Sequence, residues 1–112
     1  MKTITDEYML EMRGKAKAYA ALILKPGPRY EEPGADKIIW EHGRRNHALR
    51  AEGLMPVVTP VVDGRGVCGI AFFDTSLEEA DRIMRDDPGV KEGVFTYELY
   101  ACRGFPGDAL PE

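Results

Sequence analysis

Four short runs, "AALIL", "PVV", "GIAFF" and "GVF", are apolar at consecutive positions, with turn-forming residues between them. Each is too short for a buried helix and reads as a strand covered on both faces. Two longer segments with helical periodicity separate them: roughly Ala35 to Glu52, and Ser76 to about Asp86. That alternation is the strongest constraint on what the chain can become.

The order β-α-β-β-α-β is the split plan of a ferredoxin-like α+β domain, with a four-stranded antiparallel sheet and both helices on one face. Two helices cover only one face of such a sheet, so apolar residues on both sides call for a second cover. A homodimer packed sheet to sheet, the arrangement of a dimeric α/β barrel, supplies one. The alternative cover within one chain is the N-terminal segment or the tail.

Local signals place the boundaries. "PGP" closes the first strand, and Gly53 stops the first long helix as a C-terminal glycine does. Pro60 argues for an edge position, because proline donates no hydrogen bond to a ladder. "DGRG" is a hairpin signal. In "SLEE", Ser76 is the cap and Glu79 is expected to reach back to it. Pro88 ends the second helix and turns Asp87 out of the helical region. Residues 1–17 form a helical extension with a short stripe of Tyr8, Met9 and Met12. The domain proper covers 18–105, and 106–112 are a tail.

At 112 residues the chain has room for one two-layer core and no more. A net charge of −4, with no basic stripe interleaved with aromatics, speaks against a nucleic-acid partner. No apolar run approaches the roughly 20 residues of a membrane span. Cys68 and Cys102 lack metal-site spacing, and the expected strand order keeps them too far apart to bridge. Free thiols suit a reducing, cytoplasmic setting.

Both histidines lie in "IWEHGRRNHAL". Helical metal pairs share a face at a spacing of four, whereas His42 and His47 are five apart and diverge by about 140°. No metal is expected there. His42 shares the sheet-packing side with Ile38, Arg45 and Leu49, flanked by Ile39 and Asn46, while His47 falls with Trp40 and Ala51 on the other side. A core-facing stripe with so many polar members suggests a lined cavity, since buried polar groups cost free energy unless partnered. His42 is then either a satisfied core imidazole or a general acid–base group. Asp87, ahead of Pro88, is either a turn residue bonding its own backbone or the carboxylate that fixes the imidazole tautomer. His47 is assigned to the surface.

The segments "EHGRRNHALRAEGLM" and "DDPGVKEGVFTYELYACRGF" resemble the YciI-like (YCII-related) proteins of the dimeric α/β-barrel superfamily. His42, Gly53, Pro60, Asp87, Pro88, Gly93 and Val94 match that pattern in order, over about Ala18 to Phe105. The resemblance implies a ferredoxin-like subunit paired through its sheet, and a His–Asp pair in a cleft carried by His42 and Asp87. The family includes a dehydrochlorinase acting on a chlorinated hydroxyhydroquinone; most members have no assigned reaction. Thr59 stands where the family usually has glycine, and Gly43 where leucine is common.

Two functions are expected from this reading. In the first, a cofactor-free lyase or isomerase moves a proton on a small cyclic organic acid or phenol. His42 and Asp87 are catalytic, Arg45 holds an anionic group, and Asn46 donates a hydrogen bond. No dinucleotide fingerprint or phosphate loop is present, and no cofactor is expected. In the second, the chain is a non-catalytic small-ligand or assembly module. The expected partners are a small molecule and a second copy of the chain, or a higher oligomer, with no membrane.

Overall fold

The apolar runs become the strands of one antiparallel sheet. In the computed structural model, which describes all 112 residues, the strands are β1 (Lys17–Pro26), β2 (Val57–Pro60), β3 (Gly69–Phe73) and β4 (Phe95–Gly104), ordered β2-β3-β1-β4. Leu22 of the central β1 stands opposite Ala71 on one side and Leu99 on the other. The face bearing Ala20, Leu22, Leu24, Ala71 and Phe73 is buried, as alternation along a half-covered sheet requires. Pro60 lies at the end of β2, an edge strand, where its missing donor costs no ladder bond on the open side.

The helices are α1 (Asp6–Lys15), α2 (Ala35–Ala51), α3 (Leu77–Arg85) and α4 (Pro88–Lys91). From α3, Ala80, Ile83 and Met84 enter the core. From α2 the buried residues are Ala35, His42 and Leu49, so a polar group occupies the middle of its inner stripe. Met55, Phe73 and Met84 are fully buried, each contributing roughly 1.5–3 kcal/mol of hydrophobic stabilisation. No helix is long and apolar enough to cross a membrane.

Several expectations need correction. The dimeric α/β barrel is not what this sheet forms: it is open, ending in the two edges β2 and β4. Closure needs enough tilted strands for the two ends to meet, and four strands with a four-residue edge do not reach around. Pro88 does not merely end a helix. It sits at the first position of the extra turn α4, where its fixed φ is favourable and its missing N–H is no loss. The hairpin that "DGRG" signals does form, joining β2 to β3, but through a longer loop, residues 61–68, closed by the Val61 N–H to the Cys68 carbonyl at 3.0 Å. Ser76 does cap α3, accepting from the Glu79 N–H at 3.1 Å, but the Glu79 carboxylate pairs with Arg82 instead of reaching back.

The N-terminal extension adds nothing to the core, although Met12 is half-buried. No residue of α1 is buried, and Tyr8, Met9 and Leu10 are exposed. The radius of gyration is 16.3 Å, against about 13 Å for a compact chain of this length. The outer face of the sheet therefore stays open, with Ile70, Phe72 and Tyr100 exposed on it. Its charges are matched internally, Lys25 with Glu98 and Lys17 with Asp74.

Candidate active site

One backbone event builds the site. Between α3 and α4 the chain becomes extended at Asp87, and the Asp87 side chain caps α4 by accepting from the Gly89 N–H at 2.9 Å and the Val90 N–H at 3.3 Å. This cap is wholly buried, and it stands against the inner face of α2. There His42 Nδ1 lies 2.9 Å from Asp87 Oδ1 and 2.8 Å from Oδ2. The two readings of Asp87 were not alternatives: the same carboxylate holds its own turn and the imidazole.

The bonding pattern sets the tautomer. A carboxylate only accepts, so Nδ1 carries the hydrogen and, in the neutral ring, Nε2 keeps its lone pair. Nε2 accepts from the Asn46 amide at 3.1 Å, one helical turn along α2. Phe95 packs beside the imidazole, with ring centroids 4.6 Å apart at 49°. Gly89 makes this closeness possible. A Cβ there would stand 2.5 Å from the Phe95 ring and 3.0 Å from Asp87 Oδ2.

Arg45, expected to hold an anionic group of a ligand, stands beside two carboxylates of its own chain. It does not line the cavity; Nη1 stands 3.6 Å from Asp87 Oδ1, and Nη2 4.0 Å from Asp86 Oδ2. At 3.6 Å the contact is charge attraction without a hydrogen bond, and Nη1 is buried with no hydrogen-bond partner. The guanidinium thus faces the carboxylate that His42 also contacts. Asp86 is solvated, pairing with Lys91 at 3.2 Å.

His42 and Asn46 open onto a cavity of about 540 Å³ between α2, the inner ends of β2 and β3, and the 61–68 loop. That volume is in the range of small-ligand sites. Leu22, Leu24, Val58 and Phe95 are among its apolar walls. Thr59 also lines it, its hydroxyl donating to the Ile70 carbonyl at 2.6 Å. Tyr30 and Cys68 add two ionisable groups. Burial pushes the Cys68 thiol up, and the neighbouring Cys68 pushes the Tyr30 phenol up, so both are neutral at physiological pH.

On α2, three cavity residues were not assigned to the site from the sequence: Gly43, His47 and Arg50. With Ile39, His42 and Asn46 they fall at helical spacing i, i+3, i+4, i+7, i+8 and i+11, a regular stripe rotated from the sheet-packing one. The signal was a stripe whose members are polar or glycine where a core stripe would be apolar. His47 is exposed, as expected, but it stands at the cavity mouth.

No group of three or more His, Cys, Asp or Glu side chains is placed to hold a metal ion. Cys68 and Cys102 are both free. The chain matches no protein-family model, and no curated protein matches its sequence. The resemblance to YciI-like proteins therefore rests on the motif positions themselves.

Proposed function

We propose that the chain is a small YciI-like enzyme that moves a proton on a small cyclic organic acid or phenol, with His42 as the proton acceptor and Asp87 as the group that orients it. The observation that carries this reading is the buried His42–Asp87 contact, which leaves the Nε2 lone pair to Asn46, a residue that lines the same cavity as His42. Nε2 takes a proton from a C–H or O–H of the substrate, and the Asp87 carboxylate stabilises the imidazolium that forms. In an isomerisation the proton returns to a different carbon. In an elimination such as dehydrochlorination, chloride departs with the C–Cl bonding pair and His42 releases the proton to water. Neither route needs an electron acceptor.

Asn46 must give way for this, since its amide already occupies Nε2. Once displaced, the amide is free to donate to a substrate oxygen. The same contact favours the second reading, a non-catalytic small-ligand module in which His42 is a finished structural hydrogen-bond link. Comparing wild type with His42→Ala and Asp87→Asn on muconolactones and halogenated hydroquinones separates the two. The enzyme reading expects turnover, or chloride release, that both substitutions depress; equal rates in all three proteins would sink it.

A second copy of the chain is the proposed partner, through the open face of the sheet. That face is apolar at Ile70 and Phe72, α1 does not cover it, and its charges are already paired. A self-complementary contact there meets no like-charge penalty. Light scattering of wild type and Phe72→Lys tests it: a dimer that dissociates in the variant supports the pairing, and a monomeric wild type removes it. Free thiols suit a reducing compartment, and the proposed location is the cytoplasm.

A further inference from the structure

We propose that the mouth of the cavity is an anion-holding subsite made by Arg50 and His47, and that it selects a small acid with an apolar ring body. The inference rests on the preceding reading for the location of the site, and deepens it by naming the class of molecule that enters. Its own observations concern charge.

The chain has nineteen acidic and fifteen basic residues, yet no aspartate or glutamate lines the cavity. With Tyr30 and Cys68 neutral, Arg50 is its one permanently charged member, and the two imidazoles add no negative charge. In a protein of net negative charge, this is a local reversal of sign. Asp63, in the overhanging loop, turns back to accept from the Arg65 N–H at 3.1 Å and does not line the cavity.

Arg50 is also uncommitted. Arg29, Arg44, Arg82 and Arg85 each pair with a carboxylate three or four residues away, and Arg45 serves Asp86 and Asp87. Arg50 makes no ion pair or side-chain hydrogen bond; Arg13, Arg65 and Arg103 are unpaired as well, but none of them lines the cavity. Its position explains what it can reach. His42, Asn46 and Arg50 succeed each other at intervals of four along one edge of α2, so Arg50 lies about 12 Å along the axis from His42. Long helical side chains lean toward the N-terminus, the direction in which Asn46 and His47 lie from Arg50.

Gly43 completes the arrangement. It lies between His42 and His47 on this edge, and a Cβ added there would meet nothing within 4 Å, so the space above it is open to a ligand. A ring lying on Leu24, Val58 and Phe95 then has its reacting side toward Nε2 and its acid group toward Arg50. A guanidinium fork matches a carboxylate better than any other side chain does, and the His47 imidazole offers a further N–H.

Benzoate and benzamide, equal in shape and different in charge, are the probes. Amide chemical-shift titrations would follow both with the full-length wild type, Arg50→Gln, His47→Gln and His42→Gln proteins. Arg50 is exposed, so its substitution leaves the core alone. The expectation is that benzoate shifts the Gly43, Asn46 and His47 amides and binds wild type about fivefold more tightly than benzamide, the size of an exposed charge pair. In Arg50→Gln the preference disappears, in His47→Gln it shrinks, and in His42→Gln it survives. A preference intact in Arg50→Gln, benzamide bound as tightly by wild type, or no binding of either probe would overturn the proposal. If the preference holds but the muconolactones and halogenated hydroquinones are not turned over, the anion site stands and the proton-transfer reading falls.

Discussion

Replacing Asp87 by asparagine removes one charge from the best-buried polar side chain while keeping its shape, and the contacts fix what that should cost. The cap is preserved, because asparagine serves as an N-cap as well as aspartate, so the Gly89 and Val90 bonds contribute almost nothing to the change. The bond to His42 is only half preserved. An amide that keeps its oxygen at the Oδ2 place, on Gly89, still offers that oxygen to Nδ1–H at 2.8 Å, but its NH₂ takes the Oδ1 place 2.9 Å from Nδ1 and sets donor against donor. The charge assistance that is lost belongs to a bond worth about 1.5–3 kcal/mol. Part returns if the imidazole moves its proton to Nε2 and accepts from the new amide.

The expected net cost is therefore about 2 kcal/mol, or roughly 8 °C in Tm at about 4 °C per kcal/mol for a chain of this size. Asp87→Ala loses the cap as well and should be about 1 kcal/mol worse. Urea denaturation of the three proteins measures both steps, and imidazole nitrogen shifts report the tautomer. If Asp87→Asn matches wild type within about 0.5 kcal/mol and its proton stays on Nδ1, the charged pair contributes nothing and the reasoning is refuted.

Three further outcomes follow from other parts of the molecule. Gly89→Ala forces a Cβ against Phe95 and Asp87, and should cost about 1–3 kcal/mol while displacing the His42 resonance; a variant as stable as wild type would contradict the packing. Burial, then the hydrogen bond to Asp81, pushes the Tyr97 hydroxyl up to about 12 from 10.0. The unfolded chain loses this proton first as pH rises, so the contribution of Tyr97 is complete below pH 10 and fades toward pH 12. Urea midpoints should fall across that window, and fall less in Tyr97→Phe. Helix α1, ten residues long with nothing buried, is shorter than isolated helices need to be stable. Its amides should exchange with little protection, and protected amides in a monomeric sample would show a contact absent from this fold.

Much of the architecture was legible because it depends on pattern. The apolar runs placed the strands, Pro60 placed an edge, and the Ser76 cap placed the start of α3. Barrel closure was inferred from apolar faces, but those faces say only that a cover is needed, and the sheet itself is open. The extra turn α4 was hidden in "DPGVK", where aspartate, proline and glycine read as a turn; only the buried Asp87 cap makes it helical.

The site was legible to the extent that helix geometry decides it. His42 was recognisable as a polar intruder in a core stripe, and Asp87 as a carboxylate at a chain reversal; only tertiary packing brings them within 2.8 Å. Arg45 shows the limit of a helical wheel. The wheel gives the side of the helix, but a long guanidinium has several groups within reach, and here it turns to Asp87 and away from the cavity. His47 and Arg50 were missed for a related reason. The wheel was centred on the sheet, whereas the 61–68 loop overhangs the helix and moves the cavity edge around it.

The central claim is that Nε2 of His42 accepts a proton from a bound molecule. Solvent-deuterium incorporation measures this without requiring net turnover: muconolactone is incubated with the protein in D₂O, and loss of its ring C–H signals is followed by proton NMR. The account predicts exchange catalysed by wild type, slowed at least about a hundredfold in His42→Gln, the lower end of general acid–base contributions. Exchange at the same rate in wild type and His42→Gln would contradict it.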